Sequence, residues 1–260
     1  MMLRPLSIFL LMLLAVNSFA QSADELNKKS KEYLDKGNVK AAIPVLKQAA
    51  EAGHPEAQYN LGYCYQSGTG VTQSDRTANT WYMRAATQGY KDAQFKIAYS
   101  YALGRGAKQD YKKAFYWSHK CAEQSDPECM MHMVNCYYNG EGTPINKDSS
   151  LVWLKRLAIL TPPGNPGISR IITDARLNLA LMYLDGDRVP KDLTQAYTWY
   201  LIYNESKRDD PAPEQQKQIK EFEQLEKQLS SIDRTKAKTN AEVLLKHGLK
   251  NYENRFKADL

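Results

Sequence analysis

Apolar residues recur along this chain in steps of four, and each run ends in a glycine. The first run is Ala57, Leu61, Tyr65 and Gly68. Positions four residues apart lie on one stripe of an α-helix, whereas a half-buried strand alternates apolar and polar positions. The run returns every 36 residues, as Ala93, Ile97, Tyr101 and Gly104, and then as Cys129, Met133, Tyr137 and Gly140. Each copy therefore begins with a predicted amphipathic helix.

A second apolar segment completes each copy. Trp81, Trp117 and Trp153 mark this segment and are themselves 36 residues apart. A fourth copy starts at Ala175 and contains Trp199, but it arrives 46 residues after the third because ten residues are inserted. A period in this range is typical of helix pairs that stack into an array. The sequence thus predicts an all-α fold with four helix pairs, which begin near residues 57, 93, 129 and 175.

Residues that favour helix ends stand at the predicted boundaries. Asp126-Pro127-Glu128 combines an N-cap, a proline suited to the first helical position and an acid favoured by the helix dipole. Equivalent starts of the first helix are predicted at Pro55, Asp92 and Asp174. The predicted caps of the second helices are Ser74, Asp110, Asn146 and Asp192.

Both ends of the array are predicted to be covered by helices, because a terminal repeat must not expose its apolar face. A partial unit precedes the first copy, with a lysine-rich helix at about residues 24–36 and a second helix after Asn38. Beyond the fourth copy, one amphipathic helix is predicted from Ile219, Phe222, Leu225, Leu229 and Ile232, and a short helix at residues 241–246. The repeat array is thus assigned to residues 21–205 and the cap to residues 206–260.

The first 20 residues are predicted to be a signal peptide. Arg4 precedes an apolar run at residues 6–16 that is too short to span a bilayer, and Ser18-Phe19-Ala20 offers small residues at the cleavage positions. No cysteine follows this site, which argues against a lipid anchor. We expect an exported chain, periplasmic or secreted, without stable insertion in a membrane.

The repeat resembles a known family. The stretch from Ala57 to Gly89 reads A-x3-L-G-x2-Y-x2-G-x-G-V, a polar turn, and A-x2-W-Y-x-R-A-A-x2-G. This combination is similar to the Sel1-like repeats of the tetratricopeptide superfamily, over roughly residues 38–205. The resemblance implies an α/α solenoid, a right-handed superhelix of stacked antiparallel helix pairs, that binds other proteins. The fourth copy departs from the pattern, since Arg188 replaces the second glycine.

The charge balance does not favour nucleic acid as a partner. The formal net charge of +6 falls to +5 after removal of residues 1–20, because that segment carries only Arg4. The lysines are interleaved with acids, and an exported protein does not meet cellular nucleic acid. The apolar fraction of 43% argues against general disorder. We expect a monomer that needs no cofactor.

Cys121 and Cys129 are predicted to form a disulfide. They lie on either side of the turn that joins one copy to the next, and such a turn brings two antiparallel helices within bonding range. Export supplies an oxidising environment. The resemblance agrees, because its cysteine-rich secreted members carry bridges with this spacing. Cys64 and Cys136 are two copies apart, too far to bond, and are interpreted as buried small residues.

A zinc site is the alternative interpretation of these cysteines. Cys129, His132 and Cys136 fall at i, i+3 and i+7 of one predicted helix, with Cys121 nearby, and all four are zinc ligand types. Cys129, however, aligns with a core alanine, and Cys136 aligns with Cys64, which lacks such neighbours. No metal site is therefore predicted.

The resemblance also raises one enzymatic alternative. Some cysteine-rich relatives are described as weak β-lactam-binding or β-lactam-hydrolysing proteins, and such chemistry normally uses a Ser-x-x-Lys nucleophile. The chain contains no Ser-x-x-Lys. The four histidines, at positions 54, 119, 132 and 247, have no serine or cysteine at a recognisable spacing. We therefore predict no catalytic residues.

The predicted partner surface consists of variable positions on the first helices. The resemblance implies that these helices line a concave face. Two columns of equivalent positions lie between the core residues: Asn60, Lys96, His132 and Asn178, and Tyr63, Tyr99, Asn135 and Leu181. Amide, charged and aromatic groups suit the recognition of a protein or peptide. The leading hypothesis is an exported scaffold that binds another protein. The insertion at residues 161–168 is either an additional recognition loop or a neutral addition.

Overall fold

The structure is a computed structural model that describes residues 23–206, 213–250 and 252, without the side chains of residues 213–219. The predicted signal peptide lies outside the described residues. Within them the chain forms α-helices and no strand. Helix α1 covers residues 23–35. The others are α2 (Val39–Glu51), α3 (Pro55–Ser67), α4 (Asp75–Thr87), α5 (Lys91–Leu103), α6 (Tyr111–Ala122), α7 (Pro127–Asn139), α8 (Lys147–Ala158), α9 (Pro166–Asp185), α10 (Leu193–Asn204), α11 (Pro213–Gln228) and α12 (Ser231–Leu245).

The helices fall into two compact units. The N-terminal unit extends to Gln124 and includes Glu141–Thr143, and the C-terminal unit holds Ser125–Gly140 and the chain from Pro144 onward. In the N-terminal unit α2 packs on α3, α3 on α4, α4 on α5 and α5 on α6. In the C-terminal unit α7 packs on α8, α8 on α9 and α9 on α10. The predicted all-α fold of consecutive helix pairs is confirmed. The predicted boundary between residues 205 and 206 stays a prediction.

The helix ends confirm the predicted capping chemistry. The side chains of four residues each accept a hydrogen bond from the backbone N–H three residues later, at the starts of α4, α6, α8 and α10: Ser74, Asp110, Asn146 and Asp192. These bonds satisfy backbone donors that a helix leaves without an internal partner. Each first helix of a copy ends at a glycine in the left-handed conformation: Gly68, Gly104, Gly140 and Gly186.

The repeating apolar positions form the core. The small and aliphatic residues that recur in the first helices are fully buried, as predicted: Ala57, Leu61, Ala93, Ile97, Ala175 and Leu179. The tryptophans divide into two groups. Trp153 and Trp199 are buried, whereas Trp81 and Trp117 are half-buried and pack against the apolar clusters of the N-terminal unit. The arginine three residues after Trp81 covers part of its ring, with the Arg84 guanidinium carbon 4.4 Å from the ring centre.

The insertion before the fourth copy, expected to be either a recognition loop or a neutral addition, lengthens the first helix of that copy at its N-terminal end. Helix α9 starts at Pro166, so the predicted start near Asp174 is wrong by two turns. The Asn165 side chain caps this helix by accepting hydrogen bonds from the N–H groups of Gly167 (3.0 Å) and Ile168 (3.3 Å). Asp174 lies within the helix and pairs with Arg170 at 3.7 Å. An asparagine followed by proline is a strong start signal, and here it stands two turns before the start that the repeat spacing indicates.

The partial unit at the N-terminus covers the first repeat, as predicted. Leu26 of α1 packs against the apolar cluster that includes Leu61. Glu56 at the start of α3 accepts hydrogen bonds from Lys31 Nζ (2.7 Å) and Asn27 Nδ2 (2.8 Å). The bond from Lys31 holds the pKa of the Glu56 carboxyl below its ordinary value. Helix α1 is thus held by both apolar and polar contacts.

The C-terminal helices differ from the prediction. A single helix was expected across Leu229 and Ile232, but α11 ends at Gln228 and α12 begins at Ser231. The Ser230 side chain explains the break, because it accepts a hydrogen bond from the Asp233 N–H at 3.1 Å and so caps α12. Ile232 consequently points to solvent, with 78% of its surface exposed. The predicted short helix at residues 241–246 is the end of α12.

The last two helices cover α10. Residues 196–204 of α10 are all buried, so this helix has no solvent-facing side. Phe222 of α11 stacks on Tyr200 with 4.2 Å between ring centres, and the Thr198 hydroxyl oxygen lies 3.5 Å from the Ala237 carbonyl oxygen of α12. A terminal repeat needs such a cover to keep its apolar face from water. The C-terminal helices therefore cover the last repeat, as predicted.

Candidate functional site

In the N-terminal unit the predicted columns lie on the first helices of two consecutive copies, with their side chains accessible. Asn60 and Tyr63 belong to α3, and Lys96 and Tyr99 belong to α5. Tyr63 is 52% exposed and Tyr99 is 43% exposed, while Asn60 and Lys96 are half-buried. Residues three apart on a helix are neighbours on its surface. The four side chains thus form two adjacent pairs, one on each helix, each with a polar group and an exposed tyrosine.

Further rings support this surface in the N-terminal unit. Tyr59 lies 5.6 Å from Tyr82 and 5.3 Å from Tyr90, measured between ring centres. Phe95 lies 6.3 Å from Tyr99. Burial raises the pKa of Tyr90 to about 12 and raises the pKa of Tyr59 as well. The shift of each pKa reflects the burial of these two rings among their aromatic neighbours.

In the C-terminal unit three of the predicted residues line one cleft. Asn135 of α7 and Asn178 and Leu181 of α9 border a volume of about 380 Å³ between these helices. Both asparagines are exposed. The apolar part of the lining comes from Met131, Val134, Leu154, Leu181 and Met182. The fourth predicted residue, His132, does not line the cleft, and its Nδ1 lies 3.4 Å from Cys136 Sγ.

Charged residues form one end of the cleft. Asp185, Asp187 and Arg188 line it together with Tyr138. Arg188 Nε lies 3.1 Å from the Asp187 carboxylate, and the guanidinium carbon lies 4.3 Å from the centre of the Tyr138 ring. In the sequence, Arg188 is recognisable only as a departure from the repeat. The structure makes it part of the candidate site.

The four cysteines behave as predicted. Cys121 and Cys129 are joined by a disulfide. Cys64 and Cys136 are buried and take no part in a disulfide. Burial raises the pKa of the Cys64 thiol, which keeps it protonated and poorly reactive. The bridge uses the sulfurs of Cys121 and Cys129, so the four-ligand zinc alternative is not supported.

Loss of the disulfide is expected to destabilise the protein. Replacing both cysteines (Cys121→Ser with Cys129→Ser) should lower the free energy of unfolding by about 2–3 kcal/mol, because the bridge restricts the unfolded chain. Urea denaturation followed by circular dichroism measures this. Dithiothreitol should lower the stability of the unaltered protein by a similar amount and leave the double variant unchanged. Equal midpoints for the oxidised and reduced protein would contradict the structural role of the bridge.

A ladder of glutamines joins successive repeats in the N-terminal unit. Gln58 Nε2 donates to the Ala50 carbonyl at 3.1 Å, and Gln94 repeats this bond with the Ala86 carbonyl at 3.2 Å. The oxygen of Gln58 in turn accepts a hydrogen bond from Gln88 at 2.8 Å. Gln124 makes the equivalent bond to Gln94, also at 2.8 Å. This ladder was not predicted, although two pairs of glutamines recur in the sequence with the 36-residue step, Gln58 with Gln94 and Gln88 with Gln124.

The same repeat position carries different residues in the C-terminal unit. Met130 occupies it in the third copy, and Arg176 in the fourth. Arg176 is 2% exposed and donates to the carbonyls of Ala158 (2.8 Å), Leu160 (2.9 Å) and Ile202 (3.2 Å). Burial lowers the pKa of Arg176 to about 10, so the guanidinium is still charged at neutral pH. It replaces the glutamine as the group that joins helix ends.

The stacked helix pairs and their accessible first helices define a helical-repeat scaffold of the kind that mediates protein–protein interaction. The model of the Sel1 repeat matches four segments of the chain, residues 55–90, 91–126, 127–160 and 173–202. The chain belongs to the Sel1 repeat family, whose members are generally scaffolds rather than enzymes. The predicted copies at residues 57, 93, 129 and 175 lie within these four segments.

One solved structure agrees with this assignment, and a second shows only a more distant likeness. A Sel1 repeat protein from Oxalobacter formigenes is 29% identical, with a TM-score of 0.59 over 69% of this chain and 70% of that one. A protective antigen present in uropathogenic Escherichia coli strains, which displays an SLR fold, is 17% identical. Its TM-score is 0.41, over 95% of this chain and 60% of that one. A comparison with curated proteins gives no match.

Proposed function

We propose that the chain is an exported scaffold that binds another protein through the exposed positions of its first helices. In proteins of this fold class we expect these helices to line the concave face. The observation that carries the proposal is the contrast along α3 and α5. Tyr63 and Tyr99 occupy equivalent repeat positions and are exposed, although the next residue of each helix, Cys64 or Ser100, is buried. Aromatic rings with a polar tip are enriched where proteins bind each other.

Export is supported by the disulfide between Cys121 and Cys129. Disulfides persist in oxidising compartments and are rare in the cytosol, and Cys121 and Cys129 are bonded. The predicted signal peptide would direct the chain to such a compartment. Among the described residues, no helix combines the length and apolar character needed to cross a membrane.

Site-specific photocrosslinking tests the proposal. A photoreactive phenylalanine analogue is placed at Tyr63, at Tyr99 or at Asn178 in the full chain and activated in the native host. Matched controls carry it at Tyr116 of α6 and at Val152 of α8, which are 53% and 56% exposed. We expect one dominant protein, identified by mass spectrometry, from the first-helix positions and not from the controls. Capture at the control positions alone would contradict the proposed surface.

The β-lactam-directed enzyme remains the alternative raised by the sequence. No contact among the described residues favours it, and the family is generally one of non-enzymatic scaffolds.

A further inference from the structure

The cleft between α7 and α9 combines three kinds of surface in a volume of about 380 Å³. Its floor is apolar and includes the buried side chains of Leu154 and Met182. The exposed amides of Asn135 and Asn178 stand on opposite helices. Each amide offers both a donor and an acceptor, the groups that an extended peptide backbone requires. The dimensions and the lining thus suit a short peptide segment with apolar side chains.

The charges at the end of the cleft are unequal. Asp187 is paired with Arg188, whereas Asp185 forms no hydrogen bond or ion pair with any described residue. Among the residues that line the cleft, two carboxylates and one guanidinium leave an excess of one negative charge. Such an excess beside an apolar floor attracts a cationic side chain and repels an anionic one.

The backbone of Arg188 is held in a conformation that its side chain disfavours. Its φ angle is +66°, in the left-handed region, and the equivalent residues of the other copies are glycines: Gly70, Gly106 and Gly142. A residue other than glycine costs roughly 1 kcal/mol there. This conformation places the guanidinium on Tyr138 and beside Asp187, so the fourth copy departs from the repeat in a way that shapes the cleft.

From these observations we infer that the cleft binds an extended peptide segment in which a lysine or arginine is flanked by apolar residues. The basic side chain pairs with Asp185, the flanking side chains contact the apolar floor, and Asn135 and Asn178 bond to the peptide backbone. This inference rests on the proposed function, because it specifies the partner that one part of the first-helix surface selects.

A peptide library tests the inference. The probe is an immobilised library of heptapeptides whose ends are blocked and therefore uncharged. In each peptide, two leucines flank a central residue that varies across the library. The analyte is the full chain, carrying a fluorescent label. We expect lysine and arginine at the centre to bind about fivefold more tightly than glutamate. The preference should weaken when the salt concentration is raised, because ions screen the attraction.

A matched pair of variants assigns the preference to the cleft. Asp185→Asn should abolish the advantage of lysine over norleucine at the central position. Asp148→Asn, which removes an exposed carboxylate of α8 that does not line the cleft, should keep it. Circular dichroism checks that both variants are folded.

The possible failures are distinguishable. In one, peptides bind without any preference for a basic residue and lose binding when Asn135 and Asn178 are replaced. That result would overturn the inference and leave the proposed function standing. A lysine preference that survives Asp185→Asn would overturn the inference as well. An absence of peptide capture, together with no crosslinked protein from the first-helix positions, would overturn both.

Discussion

Replacing Gly106 by alanine is expected to lower the free energy of unfolding by about 3–5 kcal/mol, which is large for the addition of one methyl group. A Cβ atom at this position would overlap the backbone carbonyl of Asp75, at the start of α4, and the side-chain amide of Asn79. Backbone cannot move aside as a flexible side chain does. The turn after α5 would therefore have to separate from α4, and the packing between successive repeats would loosen.

Gly37 provides a matched control for Gly106. The φ angles of the two glycines are +70° and +68°, but a Cβ atom on Gly37 would meet no heavy atom within 4 Å. Gly37→Ala should therefore cost only the conformational term, about 1 kcal/mol. Urea denaturation followed by circular dichroism measures both. If the two variants lost similar amounts of unfolding free energy, backbone conformation, and not close contact between repeats, would explain why Gly106 is a glycine.

The second large effect is expected at Arg176. Its guanidinium donates to carbonyls at the C-terminal ends of α8 and α10, where a helix leaves carbonyls without internal donors and where positive charge is favoured. Arg176→Ala removes these donors and leaves a cavity, so we expect the free energy of unfolding to fall by about 3–5 kcal/mol. Urea denaturation in the neutral pH range measures the loss.

Two further variants separate the causes at Arg176. Arg176→Gln introduces the residue of the first two repeats, which bonds to the equivalent carbonyls of Ala50 and Ala86. It should recover part of the lost stability by restoring the bond to Ala158. Arg170→Ala, on the exposed side of α9, should change stability by less than about 0.5 kcal/mol. Equal stability of the Arg176→Ala and Arg176→Gln variants would contradict the hydrogen-bonding role.

The sequence predicted the fold well where a pattern repeats. The tryptophans, and the glycines that follow each first helix, recur because one packing arrangement is used several times. Their recurrence therefore predicts the positions of the helices, the order of the helices and the residues of the core. The caps Ser74 and Asp110 were predictable because their side chains act on N–H groups only three residues away. The disulfide was predictable for the same reason, since a short turn fixes the separation of its cysteines.

The sequence failed where the decisive contact is local to one copy. The start of α9 depends on Asn165, which the repeat spacing does not include, and the break between α11 and α12 depends on the Ser230 cap. Arg176 was missed because an arginine is seldom buried in a core, and only the structure shows the carbonyls around it. The cleft was predicted in part: the repeat columns supplied Asn135 and Asn178, but they gave no sign of the charged residues beside them.

Hydrogen–deuterium exchange on the full chain, with and without the protein recovered by crosslinking, tests the central claim most directly. If the first helices form the binding surface, bound partner should slow exchange in α3, α5, α7 and α9, because backbone amides there lose solvent access. Exchange in α4, α6 and α8 should change little. Slowed exchange confined to these second helices, or to α1, α11 and α12, would contradict the account.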